Sequence, residues 1–251
     1  MTVRTMSRIE PSLEILAASR QWLEPVREAL GADFLAAYLT GSVLTQGFRL
    51  SHSSVNVLVV ARHMSSETLD ALARVVPETR KPPHFDPLFL THRQISKSVD
   101  VFPIEWTEIQ EGHLLVEGHD VLGELTVPRT YLRLQCEQEL RAKAIQLRKA
   151  YILNARHPDR LEPVLKGASA SFGTLFRTLV RLAGESPPAD AAHVIERVAD
   201  LYKLHAENLL GAYLVRVTER RHRGAELQAL CRRFLIEVER LVDAIDGMRV
   251  A

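Results

Sequence analysis

Residues 38–60 read YLTGSVLTQGFRLSHSSVNVLVV. An apolar run, residues 34–40 (FLAAYLT), stops at Gly41-Ser42. A short segment of helical character leads to Gly47, and a loop rich in serine follows, with Ser53 and Ser54 at its end. Residues 55–61 (VNVLVVA) are then apolar, mostly β-branched and almost uninterrupted, which is the composition of a strand buried on both faces. The pattern is strand, glycine–serine turn, loop, strand. Glycine lets a backbone come close to an anion. A serine hydroxyl and the N–H groups of a following helical turn can hold phosphate oxygens. Residues 54 and 56 alternate along an extended chain, so their side chains share one face.

The text around this stretch fills out a small α+β unit. Residues 11–30 have helical period, as one helix or two, with Gly31 as the stop. Ser65 or Ser66 caps a helix whose apolar face is Leu69, Leu72, Val75 and Val76, and Pro77 closes it. Residues 85–91 and 99–106 (VDVFPIEW) read as two further strands, the second cut short or placed at an edge by Pro103. Near residue 128 the character changes to helical period throughout. Helices are expected over about 131–155, 160–183, 190–204, 206–220 and 225–246, broken at Pro158, at Gly184-Glu185-Ser186-Pro187-Pro188 and at Arg223-Gly224. The helix over 169–182 is notably apolar, with Phe172, Leu175, Phe176, Leu179, Val180 and Leu182, and should lie at the centre of a bundle of four or five helices. The expected domains are therefore 1–128, a small mixed sheet with helices, and 129–251, all helical.

On these residues the chain resembles the nucleotidyltransferase superfamily related to DNA polymerase β. That family's signature is roughly an apolar residue, Gly-Ser, a glycine some four residues on, then Ser-Asp-x-Asp at the start of an apolar strand. Gly41, Ser42 and Gly47 match the first half, with one extra residue between them. Ser53 matches the serine before the carboxylates, and residues 57–60 match the strand. The resemblance implies a cleft for a nucleoside triphosphate at Gly41, Ser42, Gly47, Ser53, Ser54 and Asn56, with Mg²⁺ as the metal. In the family, the two aspartates hold divalent metals that align and neutralise the transferring phosphoryl group. Here those positions are Ser54 and Asn56. A hydroxyl and a neutral carboxamide do not replace two anionic ligands for Mg²⁺, which sheds water reluctantly, so no metal ligand set is assigned. The family's third carboxylate lies on a later strand, for which Asp100 is the candidate and Glu105 the next. The segment from Val99 onward also resembles uncharacterised bacterial proteins that carry a nucleotidyltransferase domain.

Three functions follow as expectations. The first is a nucleotidyltransferase-fold protein, degenerate in catalysis, that binds a nucleotide or a partner in the Gly-Ser cleft. The second is an active metal-dependent transferase using relocated carboxylates, Asp100 with Glu105 and Glu108. The third is an RNA-linked toxin–antitoxin type module. It rests on the spacing of Arg216 and His222, which resembles the Arg-x4-6-His motif of HEPN-type helical domains, although Val217 stands where a polar residue is common. The simpler reading of Arg216, Arg220, Arg221, His222 and Arg223 is a solvated helix end.

Composition narrows the field. With 46% hydrophobic and 25% charged residues, the chain can bury a core. Its 32 basic and 31 acidic residues leave a formal charge of +1, so no global pull toward nucleic acid or an anionic membrane exists, and a nucleic-acid partner is not expected. A protein partner or a second copy of the chain remains open. No apolar run approaches the length of a membrane span and no signal peptide is visible, so the expected location is the cytoplasm. Cys136 and Cys231 are far apart and read as buried free thiols. Trp22 and Trp106 read as core. His52 reads as a solvated loop residue. His113 and His119 lie in text that reads as a loop and lack the spacing of a metal motif. Ser169 and Ser171 read as helix caps rather than nucleophiles.

Overall fold

The computed structural model describes residues 10–45, 48, 53–77, 82–218, 222 and 224–249. The chain divides into two compact units, one ending at Val127 and the other beginning at Pro128.

The first unit opens with helix α1 (Leu13–Leu30), whose first turn is capped by Ser12 Oγ accepting from the Ile15 N–H at 3.3 Å. Strand β1 (Phe34–Thr40) follows, then a 3₁₀ turn (Gly41–Leu44) and strand β2 (Val55–Ala61). Helix α2 (Ser66–Val75) starts where Ser65 Oγ accepts from the Thr68 N–H at 3.2 Å. Strand β3 (Phe85–Thr91), helices α3 (His92–Ser96) and α4 (Pro103–Glu111) and strand β4 (His113–Gly118) complete it. The sheet order is β3-β2-β1-β4. β2 runs parallel to β3, while β1 is antiparallel to both β2 and β4, so the sheet is mixed.

Alternation sorts the strands onto two cores. Ala37, Leu39, Val57 and Val59 pack with Trp22, Leu23, Val26 and Leu72 on the side of α1 and α2. Ala36, Tyr38, Leu58 and Val60 pack with Ile95, Trp106 and Leu122 on the other. β2 is thus covered on both faces, as its uninterrupted apolar text requires. Each such valine or leucine contributes roughly 1.5–3 kcal/mol by leaving water. Tyr38 is also an anchor. Its hydroxyl donates to Asp120 Oδ1 at 3.1 Å and accepts from the Val121 N–H at 2.6 Å, tying the chain after β4 to β1. Burial first of all, then the Asp120 carboxylate, pushes the phenol up to about 12.

Two segments differ from what their sequence leads one to expect. Residues 99–106 do not form a strand. They make a turn and the start of α4, because Pro103 sits in the first helical turn, where a missing N–H costs nothing. Trp106 is buried and donates its indole N–H to Ser98 Oγ at 2.9 Å, which fixes the turn. The stretch around His113 is not a loop but the edge strand β4. Its end demands glycine: Gly118 has φ +93, and a Cβ there would stand 2.1 Å from the Leu35 carbonyl oxygen.

The second unit holds α5 (Arg129–Asn154), α6 (Leu161–Leu182), α7 (Ala191–Tyr202), α8 (Ala206–Val217) and α9 (Gly224–Asp246). As its apolar text implies, α6 is central and packs on the four others. Phe172 is its pivot, with the Phe176 ring at 5.3 Å and the Phe234 ring of α9 at 5.4 Å. Ser169 and Ser171 therefore lie inside α6 rather than at its cap, and Ser171 Oγ bonds back to the Ala168 carbonyl. Cys136 and Cys231 are free and buried, and burial pushes their thiols up to about 12 and about 11. Glu237, 1% exposed, accepts from the His205 backbone N–H at 3.2 Å, from His205 Nδ1 at 3.0 Å and from Asn208 Nδ2 at 3.0 Å, with Arg240 at 3.3 Å. This carboxylate closes the first turn of α8 onto α9. Among the described residues, no helix is long and apolar enough to cross a membrane.

Candidate functional site

The Gly-Ser turn is local in origin. β1 ends at Thr40, and the chain can leave it only through a residue that accepts φ +73, which is Gly41. The 3₁₀ turn that follows buries Val43 and Leu44 and leaves Gly41 and Ser42 exposed. The Ser42 carbonyl accepts from the Thr45 N–H at 3.0 Å and from Thr45 Oγ1 at 2.8 Å, which locks the turn and leaves the Ser42 hydroxyl outside this bond pair.

Strand register then brings a row of polar residues to this end of the sheet. Thr40 of β1 is paired with Asn56 of β2 and with His113 of β4, and Asn56 is paired with Asp86 of β3. Across the four strands the row reads Asp86, Asn56, Thr40, His113. Alternation sets Asn56 on the face of Leu58 and Val60, and the exposed Ser54 precedes it on the same side. The Asn56 carboxamide stands against Gly41: a Cβ built on that glycine would lie 3.0 Å from Asn56 Nδ2. Gly41 is therefore needed twice, for its backbone conformation and for the space that Asn56 fills. Asn56 and Asp86 are both exposed, and Thr40 is nearly buried.

Of the residues singled out from sequence, the structure gathers Gly41, Ser42, Ser53, Ser54 and Asn56 around this turn and the start of β2. Gly47 and His52 lie outside the described residues. Asp100 is elsewhere. It occupies the turn between α3 and α4, off the sheet, so it does not have the strand position expected of it. Glu105 and Glu108 are on α4. The carboxylate that does share the row is Asp86, which sequence reasoning passed over. The strand was legible, but only the parallel pairing of β2 with β3 sets Asp86 beside Asn56.

The side-chain groups of this row are a carboxylate, a carboxamide and the Thr40 hydroxyl, with the imidazole of His113 at the far edge. One anionic oxygen donor does not fit a two-metal centre, which needs carboxylates shared between ions. Among the described residues no group of three or more histidines, cysteines or acids could hold a metal ion. His113 is taken up by the fold. Its Nδ1 lies 2.9 Å from the Ile109 carbonyl, its Nε2 lies 3.9 Å from Asp120, and its ring meets that of Tyr38 edge-on. The pair His113 and His119 does not form a site.

In the helical unit, Arg216 lies in the last turn of α8 over the Tyr213 ring, 5.5 Å from its centroid. His222 is buried rather than solvated, with Nδ1 3.0 Å from a Glu226 oxygen. Arg220, Arg221 and Arg223 lie outside the described residues.

No protein-family model matches the chain, and no curated protein matches it. Solved structures do. A spectinomycin adenyltransferase from Enterococcus faecialis, solved with ATP and spectinomycin, is 14% identical over 91% of this chain and 99% of that one, with a TM-score of 0.53. A nucleotidyltransferase-like protein from Exiguobacterium sibiricum 255-15 is 15% identical over 91% of this chain and 74% of that one, with a TM-score of 0.42. The first likeness shows the fold: this chain has the architecture of a nucleotidyltransferase, an α+β unit with a mixed sheet followed by a helical part.

Proposed function

We propose that this nucleotidyltransferase-fold chain binds a nucleoside triphosphate at Gly41, Ser42 and Asn56 and transfers its nucleotidyl group poorly or not at all. The observation that carries the reading is the Asp86, Asn56, Thr40 row beside Gly41. It keeps the glycine turn and the serine hydroxyl that suit a phosphate, and it has lost both carboxylates of the paired-aspartate position. The ATP in the structurally similar adenyltransferase supports the choice of ligand class. Nucleotidyl transfer draws most of its rate from electrostatic stabilisation of the moving phosphoryl group. A site with Ser54 and Asn56 in place of two carboxylates has little means of concentrating divalent cations there.

Isothermal titration of the full chain with ATP, GTP, CTP and UTP, each with Mg²⁺, tests the binding. Saturable heat with one or more of them is expected, and no heat at millimolar ligand defeats the reading. A transfer assay run beside it is expected to stay at background.

A second reading, a residual transferase, is favoured by one observation only, the carboxylate of Asp86 in register with Asn56. Measurable transfer that Asp86→Ala abolishes would establish it in place of the first.

A further inference from the structure

The helical unit contains a slot that the nucleotide reading does not use. It opens between α6, α7 and α8, with Phe172 and Phe176 of α6, Val194 of α7 and Phe234 of α9 as its floor and sides, and encloses a cavity of about 30 Å³ that opens to solvent. Such a space takes a short apolar group of a few carbon atoms rather than an aromatic ring. Its lining is almost wholly apolar, yet two guanidinium side chains stand on it, Arg177 of α6 and Arg216 of α8.

Several other arginines of the same unit are paired with acids. Arg148 reaches Glu239, Arg197 reaches Glu185 and Arg240 reaches Glu237. Among the described residues, Arg177 meets only the Gly173 carbonyl, at 3.5 Å, and Arg216 only the face of Tyr213. A glycine also lines the slot. Gly173 lies in the middle of the 22-residue α6, where glycine weakens a helix. No close packing demands it: a Cβ there would meet nothing nearer than Arg177 Nη1 at 3.8 Å. Here, then, the helix gives up a side chain beside an apolar space with two cations at its rim.

We propose that this slot binds a small organic anion: a short aliphatic chain seated on the Phe172–Phe176–Phe234 floor, with its carboxylate held by Arg177 and Arg216. Guanidinium groups suit this task because their planar N–H forks match a carboxylate. The short apolar tail matches the size of the cavity, and the charge matches the two arginines, which meet no acid among the described residues.

The test is a titration of the full chain, labelled with ¹⁵N, using butanoate and butan-1-ol as paired probes of equal chain length. Butanoate is expected to shift the amide resonances of Gly173, Ala191 and Tyr213 saturably in the millimolar range, as its few atoms allow, while butan-1-ol shifts them much less. R177Q, a change at the rim that spares the core, is expected to weaken butanoate about tenfold by removing one charge-assisted bond pair. G173V, which fills the slot, is expected to abolish the response. Equal shifts with the alcohol, an unchanged response in R177Q, or no saturable shift in the parent protein would each overturn the proposal. If G173V does not fold, R177Q and the alcohol control still decide it.

Discussion

The two units treat their polar groups in opposite ways. In the helical unit, the most deeply buried carboxylate is satisfied within the fold. Glu237 is sealed from water and takes hydrogen bonds from His205 and Asn208, and its neighbour Glu239 is met by Arg148. In the sheet unit, the polar residues at the end of β1, β2 and β3 are lined up by register and left facing outward, with Asn56 and Asp86 exposed. A polar group that has spent its hydrogen bonds inside the fold builds the fold. Polar groups set side by side at an open sheet end, next to a glycine that lets the backbone be approached, are free to meet a ligand. This difference supports placing the proposed nucleotide site in the first unit, even though the second holds more of the strongly paired charge.

Glu237→Ala removes the acceptor of the His205 backbone N–H and of three side chains, His205, Asn208 and Arg240, and it should destabilise the helical unit by about 4 kcal/mol. Urea denaturation of the full chain followed by far-UV circular dichroism measures it. The same carboxylate gives a pH signature. Burial opposes its ionisation, but the bonds from Asn208 and His205 outweigh that and hold it below the usual glutamate range. Its folded pKa is depressed, so its contribution is complete above the unfolded value of a glutamate. That contribution is lost as pH falls from there through the folded value. Glu237→Gln should flatten this acidic limb of the stability profile.

In the sheet unit the largest effect should come from Gly118→Ala. The new Cβ meets the Leu35 carbonyl at a positive φ, and a loss of about 3 kcal/mol is expected in the same denaturation experiment. Removing the α2 cap by Ser65→Ala should cost about 1 kcal/mol. The exposed pair Arg148–Glu239 should matter least. Arg148→Ala is expected to shift stability by less than about 1 kcal/mol, and to do so less at high salt. If Arg148→Ala costs as much as Glu237→Ala, the contrast between buried and exposed charge in the helical unit fails.

Much of this was legible in the amino-acid order, for reasons that differ between the units. β2 was plain because a run such as VNVLVVA has few alternatives, and Gly41 was plain because a strand that ends in Gly-Ser must turn. The helices of the second unit were plain because apolar residues such as Leu132, Cys136, Leu140 and Leu147 repeat at helical spacing and are buried. α4 was misread because Val99 and Val101 mimic strand alternation, while Pro103 suits a helix start as well as a strand end. β4 was misread because an edge strand of six residues with half-exposed side chains carries little periodic signal. Asp86 was missed for a deeper reason. Its strand was visible, but which residue of β3 faces Asn56 depends on parallel pairing between chain segments thirty residues apart, and no local pattern encodes that register.

Isothermal titration with Mg·ATP of the parent chain, of Gly41→Ala and of Asn56→Asp tests the nucleotide site itself. Gly41→Ala strains the turn and drives a methyl group against Asn56. Asn56→Asp returns a carboxylate beside Asp86. The parent should bind, Gly41→Ala should bind at least about tenfold more weakly, and Asn56→Asp should make binding depend more steeply on Mg²⁺. Heat that is absent from the parent, or that is the same in all three proteins, would contradict a nucleotide site at Gly41 and Asn56.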